Sequence, residues 1–360
     1  MWFAEFVVPL GNALAEQNSV HMILGNENVA TTLGYPLERW LAKGVGYTTL
    51  PHIRKRRPFQ IASTIITGAK AIHHFHPDII HVQDAFDPFA AFLIPSFGLT
   101  PVIVEIHDPI PHPGDYNQQR LRFRLSSSLL RKRADAFVAH GEFCRQVIID
   151  SDQICADIVY SVPLGTPSIF RDWADPAVVE EPHSILFFGR MREYKGLQYL
   201  VQAEPLISAQ VPDLNIILAG SGPDLARCEG MMVNRDRFEV HNGYISTENM
   251  IHLFQRASIV VVPYIEASQS AVITSAFIFG KPVVATRVGG IPDVVTDGIE
   301  GSLVPPKDVD ALAQVIVELL RDERKRKVMG QAALAKAEGP LSWGSIAEQM
   351  YHVYLKTLQR

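Results

Sequence analysis

The sequence predicts an α/β protein built from two doubly wound, Rossmann-like domains. Three observations point there. Short apolar runs rich in Val and Ile recur between amphipathic stretches of helix length, as in parallel sheets covered on both faces. At 360 residues the chain is too long for one ordinary core and suits two. A stretch rich in Pro, Asp and Glu and without periodicity, Thr166 to Pro182, divides the alternation and is read as a linker.

The chain opens on an amphipathic helix, Trp2 to Gln17, with Phe3, Phe6, Val7 and Leu14 on one stripe and a kink expected at Pro9. Strands follow at 20–24 and 47–53, then a helix over 60–76 and a strand at 79–83. Strand 102–107 runs into a polar loop, 108–116. Helix 117–133, strand 136–140, helix 141–149 and strand 157–163 complete a first domain, residues 1–165, read as one parallel sheet. Doubly wound domains usually begin on a strand and a glycine-bearing turn. Both are missing here, which suggests a truncated chain or a wrongly placed start codon.

From Ser184 the alternation is cleaner. Strands at 184–189, 214–220, 238–244, 259–263, 282–286 and 301–305 alternate with helices in a second domain, 183–341. Asp308 is an expected N-cap, and Gly339-Pro340 ends the helical stretch after it. The last segment, 342–360, carries Ile346, Met350, Tyr354 and Leu358 at helical spacing and needs an apolar surface to lie on.

Composition narrows the function. A hydrophobic fraction of 47% with 20% charged residues is that of a soluble globular protein. A net charge of −5 gives no overall attraction to nucleic acid or anionic lipid, so no nucleic-acid partner is expected. Cys144, Cys155 and Cys228 have no metal-ligand spacing, which favours free thiols and a cytoplasmic setting. No apolar run reaches the ~20 residues that span a bilayer, and the opening MWFAEFVVPL lacks the basic flank of a signal peptide.

The chemistry centres on Ile259 to Val295. A β-branched run ends at Pro263, and a polar turn, Glu266 to Ser270, leads into an apolar helix that stops at Gly280. Such a loop lies at the carboxyl end of a parallel sheet, where ligands bind. Ser268, Gln269 and Ser270 would offer N–H groups to an anion at a helix start. A phosphate would repel Glu266, which suits hydroxyls instead, so the stretch reads as a nucleotide-sugar site. Gly189 to Gly196 follows the first strand of the second domain and brings Arg190 and Lys195 to the same crevice, a planar fork and a point charge suited to a diphosphate.

These motifs together resemble the retaining glycosyltransferases of family 4. They are G-R-x-x-x-x-K-G at 189–196, A-G-S-G-P at 219–223, G-Y at Gly243-Tyr244, P-Y-x-E at 263–266, and F-G-K-P-V-V-A-T with V-G-G-I-P within 279–292. The resemblance covers Ser184 to Gln359 strongly and the first domain in general order. It implies the GT-B fold, two domains facing a cleft, with an acceptor-side first domain and a C-terminal helix returning to it. By the same resemblance Gly189, Arg190 and Lys195 hold the donor diphosphate, and Gly220 gives the donor room. Backbone groups near Tyr244 and Ile245 hold the base, Glu266 the sugar hydroxyls, and Ser268 to Ser270 sugar and phosphate. The second acid of the family's E-x7-E pattern is absent, and Thr274 or Ser275 stands there as a neutral ribose contact.

His107 ends a strand of the first domain and, by the resemblance, lies against the donor sugar. Asp108 orients it or caps the loop, His112 on the same loop is a weaker candidate for that role, and His81 and His140 read as packing or crevice lining. Glu266, His107, Arg190 and Lys195 are the expected catalytic set. The implied reaction is retaining hexosyl transfer from a nucleotide-diphosphate sugar to a carbohydrate or lipid-linked acceptor, in surface polysaccharide biosynthesis. No D-x-D metal site is apparent and no cofactor is expected. Basic clusters at Arg54 to Arg57 and at Arg120, Arg122, Arg124 and Arg131 to Arg133 read as solvated faces or, interleaved with Leu121, Phe123, Leu125, Leu129 and Leu130, as a peripheral membrane contact. The rival readings are a non-catalytic nucleotide-sugar-binding subunit and a nucleotide-sugar epimerase or hydrolase.

Overall fold

In the second half of the chain, β-branched runs become strands covered on both faces, because helices pack against each side of a parallel sheet. The computed structural model describes residues 4–26, 37–51, 58–84, 88–110 and 121–360. They fall into two units, one from 1–109, 115–165 and 343–360, the other from 110–114 and 166–342. Arg54 to Arg57, His112 and Arg120 lie outside the described residues, as do the first three residues and the side chains of Leu121 to Arg124.

The first unit runs α1 (Ala4–Leu14), β1 (His21–Gly25), β2 (Gly46–Leu50), α2 (Pro58–Phe75), β3 (Ile80–Asp84), α3 (Pro88–Phe92), β4 (Val102–Ile106), α4 (Leu121–Arg133), β5 (Ala136–Ala139), α5 (Glu142–Asp152) and β6 (Val159–Ser161). It does not hold the single sheet expected. Among the described residues β1 and β2 pair only with each other, and β3-β4-β5-β6 form a separate parallel sheet. Central β4 and β5 are buried along their whole length.

The second unit runs β7 (Ser184–Phe188), α6 (Leu197–Ser208), β8 (Asn215–Gly220), α7 (Leu225–Glu229), β9 (Phe238–Asn242), α8 (Thr247–Arg256), β10 (Ile259–Val262), α9 (Ala271–Ile278), β11 (Val283–Thr286), α10 (Ile291–Val294), β12 (Gly301–Val304), α11 (Val309–Arg321) and α12 (Glu323–Glu338). Asp308 caps α11 by accepting from the Ala311 N–H, as its position predicts. All six strands are parallel, in the order β12-β11-β10-β7-β8-β9. Counting from β7, that is the doubly wound order, with its switch point between β7 and β10.

The linker expectation shifts, while the C-terminal helix falls in the first unit as expected. Residues 166–182 are packed on the second unit: Phe170 is buried in its core, Glu181 pairs with Arg256 at 2.7 Å and Glu180 with Lys281 at 2.6 Å. Residues 343–360 belong to the first unit as α13 (Trp343–Leu358), where Ile346, Met350 and Val353 share a core with Leu10 and Leu14 of α1. Its buried stripe continues through Thr357, and Leu358 is exposed, a slight rotation from the expected face. Helix α1 continues through Pro9, which is buried.

Candidate active site

The switch point fixes the site of the second unit. Strands β7 and β10 are neighbours, Ile259 against Ile185 and Val260 against Leu186, so the loops that leave their carboxyl ends stand side by side. The loop after β7 carries Arg190 and Lys195, and the loop after β10 carries Glu266. The Ile265 N–H donates to the Tyr194 carbonyl at 2.7 Å, joining the two loops directly.

Glycines allow that approach. A Cβ on Gly196 would fall 1.8 Å from the Pro263 carbonyl oxygen, and one on Gly220 would fall 1.9 Å from that of Gly189. Both have positive φ, which glycine adopts without strain. The loop after β11 closes in the same way: a Cβ on Gly289 would lie 1.6 Å from the Ala267 carbonyl oxygen. The Thr286 hydroxyl donates to the Tyr264 carbonyl, which further braces the Glu266 turn.

Within this frame Lys195 Nζ lies 3.7 Å from the centroid of the Tyr264 ring and 5.1 Å from that of Tyr194. Arg190, exposed, donates to the Tyr194 hydroxyl at 3.3 Å. Among the described residues Lys195 pairs with no carboxylate, so its charge rests on aromatic faces and stays available to an anion. Glu266 is exposed at the tip of its turn, while Ser268 and Ser270 are buried. Ser270 Oγ, Gln269 Oε1 and Tyr264 Oη are buried without a hydrogen-bond partner among the described residues. Three orphaned polar atoms around one turn ask for a polar ligand. Sequence reasoning had Gln269 and Ser270 but passed over Tyr264, whose signal was its place in P-Y-x-E beside a lone cation.

The residues expected to meet base and ribose lie after β9 and on α9. The Gly243 N–H donates to the Gly220 carbonyl at 3.0 Å, which sets Tyr244 beyond β9 with 71% of its surface exposed, and Ile245 packs back on the core. Thr274 is buried and its hydroxyl donates to the Ala271 carbonyl at 3.1 Å, within its own helix. Ser275, also buried, shows no such bond among the described residues. Of the two neutral candidates for the ribose, Ser275 is the less engaged.

His107 lies in the first unit, 2% exposed, just past β4. Its Nε2 meets Gln83 Oε1 and its Nδ1 lies 3.0 Å from His140 Nε2. Burial, then the charge of His140, pushes its pKa down to about 4, so the ring is neutral at physiological pH. His81 and His140 belong to the same cluster through Glu105, a residue that sequence reasoning did not single out. Donor atoms of Glu105, His107 and His140 lie within 4.8 Å of one another, the one grouping among the described residues close enough for a metal. His107 and His140 are hydrogen-bonded to each other and Glu105 Oε1 lies 3.2 Å from His140 Nε2, the arrangement of a proton network.

Two units with parallel sheets, the second doubly wound and carrying a cationic, glycine-framed crevice at its switch point, are the architecture of a GT-B glycosyltransferase. Two family models match the chain, "Glycosyltransferase Family 4" over residues 4–168 and "Glycosyl transferases group 1" over residues 182–322. The chain belongs to glycosyltransferase family 4. A D-inositol 3-phosphate glycosyltransferase of Corynebacterium diphtheriae is 26% identical over 333 residues, 84% of this chain and 76% of that one. One of Corynebacterium aurimucosum is 30% identical over 178 residues, 47% of this chain and 42% of that one, so the chain matches less than half of that relative's length. Among solved structures, Anabaena Alr3699/HepE in complex with UDP and glucose superposes with a TM-score of 0.73 at 17% identity, over 98% of this chain and 96% of that one. Sucrose-phosphate synthase of Thermosynechococcus elongatus gives 0.72 at 21%, over 98% and 93%.

Proposed function

We propose that the chain is a retaining glycosyltransferase that moves a hexosyl group from a nucleotide-diphosphate sugar to a carbohydrate or lipid-linked acceptor in surface polysaccharide biosynthesis. The observation that carries this reading is the pairing at the switch point: Lys195 over Tyr264, with Arg190 on Tyr194 and Glu266 on the adjoining turn. A diphosphate needs the two cations, and the hexose hydroxyls need the carboxylate. Tyr244 and Ile245 hold the base, Gly189 and Gly220 give the donor room, and Ser268, Gln269 and Ser270 meet sugar and phosphate. Ser275 or Thr274 meets the ribose, more weakly than the family's carboxylate would.

Catalysis consists of holding donor and acceptor together and stabilising charge on the departing diphosphate, whose oxygen takes the acceptor's proton. The new bond then forms on the face that the leaving group vacates. Arg190 and Lys195 supply the charge, so turnover persists in chelator. His107, neutral and with both nitrogens engaged, takes no part in proton transfer and serves as a fixed, uncharged neighbour of the donor sugar. The first unit is the acceptor side, in a cytoplasmic protein that touches the inner face of the membrane. Leu125 and Leu129 are exposed on α4 beside Arg131 and Lys132, which supports that contact. Arg133 is turned to Asp135 and to the carbonyls of Gly98 and Thr100. No described helix is long and apolar enough to cross a membrane.

The test is incubation of the purified chain with UDP-, GDP- and dTDP-sugars, with and without membrane extract, following nucleotide release and the anomeric configuration of the product. Transfer with retention supports the reading. Donor binding without turnover on any acceptor would favour a binding subunit, for which the neutral residue in place of the second acid speaks.

A further inference from the structure

Three histidines, one glutamate, one glutamine and one tyrosine meet along β3 and β4 and just beyond β4 and β5, and the hydrogen bonds of the central pair can be counted. His140 Nδ1 lies 3.3 Å from the Val162 carbonyl, which only accepts, so that nitrogen carries a proton. His107 Nε2 meets Gln83 Oε1, an acceptor, so that nitrogen carries one too. If both rings were neutral, His140 Nε2 and His107 Nδ1 would face each other bare at 3.0 Å. Glu105 Oε1, 3.2 Å from the same His140 nitrogen, would add a third lone pair. Turning the Gln83 amide over relieves the contact between the rings and leaves the carboxylate against a bare nitrogen. One further proton, on His140 Nε2, relieves both of these contacts, facing His107 Nδ1 at 3.0 Å and Glu105 Oε1 at 3.2 Å.

We propose that Glu105 is a positioning residue: its carboxylate keeps an extra proton on His140, and that proton fixes the neutral His107 ring in one orientation at the end of β4. The cluster is then a buried ion pair, His140 positive and Glu105 negative, with His107 accepting from the cation. His81 stands beside it, its Nε2 2.9 Å from Glu105 Oε2 without hydrogen-bond alignment and its Nδ1 2.8 Å from the Tyr354 hydroxyl of α13. Burial pushes the Glu105 carboxyl up, and hydrogen bonds from His140 and His81 outweigh it and hold the group well below the usual carboxylate range. Among the described residues the other titratable groups facing the cluster are Asp108, just after β4, and Tyr354, whose hydroxyl burial pushes up. Helix α1 brings only apolar Phe6 and Leu10 to the adjoining cavity of about 10 Å³. A buried pair of this kind is costly to break from one side, because the remaining charge has no water to turn to.

The inference rests on the reading of His107 as a neighbour of the donor sugar, but its first test does not. In the full chain labelled with 15N-histidine, the ring nitrogens are followed by NMR between pH 6 and pH 8, with His140→Gln used to assign the signal. The expected result is one imidazole protonated on both nitrogens at pH 7, with a slowly exchanging downfield proton that disappears in Glu105→Gln. A wild-type spectrum in which every buried imidazole carries a single proton overturns the proposal, and it needs no variant to fold. The second readout is kinetic: Glu105→Gln lowers kcat about tenfold or more with KM for the donor within about threefold, since a misoriented neighbour acts on the reacting complex. A folded Glu105→Gln enzyme with unchanged kcat and pH profile overturns the positioning role. If the wild-type chain transfers no sugar, the proposed function fails while the NMR result still stands.

Discussion

The Lys195 ammonium lies 3.7 Å above the Tyr264 ring, although the two side chains leave different strands, β7 and β10. The contact crosses the topological switch point, so it orders a cation in the place where this fold binds its ligand. An ammonium on an aromatic face keeps its charge and loses part of its rotamer freedom before any anion arrives. Lys195→Ala is therefore expected to lower kcat/KM for the donor by roughly 100-fold, the usual cost of one lost charge-stabilising donor. The urea midpoint should stay near wild type. Tyr264→Phe keeps the ring and removes a buried hydroxyl without a partner, so stability should hold or rise while donor affinity falls. Unchanged kcat/KM in a folded Lys195→Ala enzyme would remove Lys195 from the site.

Gly196 and Gly289 are expected to be intolerant of alanine for reasons of space as well as backbone. Their added Cβ atoms would sit 1.8 Å and 1.6 Å from carbonyl oxygens of Pro263 and Ala267, both at positive φ. Each substitution should destabilise the second unit by about 2–4 kcal/mol, overpacking and backbone strain together. Gly243 also has positive φ, but nothing stands within 4 Å of its Cβ position, so Gly243→Ala should cost markedly less. Denaturant midpoints of the three variants rank them, and equal midpoints would refute the close-approach account.

The second unit was legible because its signals are local. β10 reads as an apolar run, the glycines mark turns, and Arg190, Lys195 and Glu266 sit at the strand ends that those turns define. What the sequence hid was pairing between distant segments. Glu105 lies inside an apolar strand, and its partners His81 and His140 come from β3 and from beyond β5, so no spacing announces them. The same holds for residues 166–182, whose composition resembles a linker. The burial of Phe170 and the ion pairs of Glu180 and Glu181 with Lys281 and Arg256 are long-range contacts. The separation of β1-β2 from β3-β4-β5-β6 is likewise a matter of which edges meet, and the order of strands along the chain does not record it.

Glu266 stands exposed at the tip of its turn, and none of the described side chains depends on it. Glu266→Gln should leave the fold and its thermal midpoint unaltered and reduce kcat by about 10²-fold or more, because an amide loses half of the acceptor capacity that sugar hydroxyls use. Affinity for the free nucleoside diphosphate, measured calorimetrically, should change little, since the proposed function has the carboxylate meet the sugar and not the phosphates. A loss of diphosphate binding equal to the loss of kcat would show that Glu266 acts elsewhere.

The pH dependence of stability follows from the burial of His107. In the unfolded chain this ring takes up a proton near its ordinary value of 6.5, and in the folded protein not until about 4. Between those values the unfolded state binds more protons, so stability falls as pH falls. The contribution is complete above 6.5 and exhausted near 4, and a span of about 2.5 units corresponds to roughly 3 kcal/mol. Glu105 does not oppose this, because its carboxyl is held well below the usual carboxylate range in the folded protein. Urea unfolding of the first-unit signals at pH 7, 5.5 and 4.5 should show the decline, and His107→Gln, which titrates in neither state, should flatten it. A decline of the same size in His107→Gln would assign the acid sensitivity to other groups.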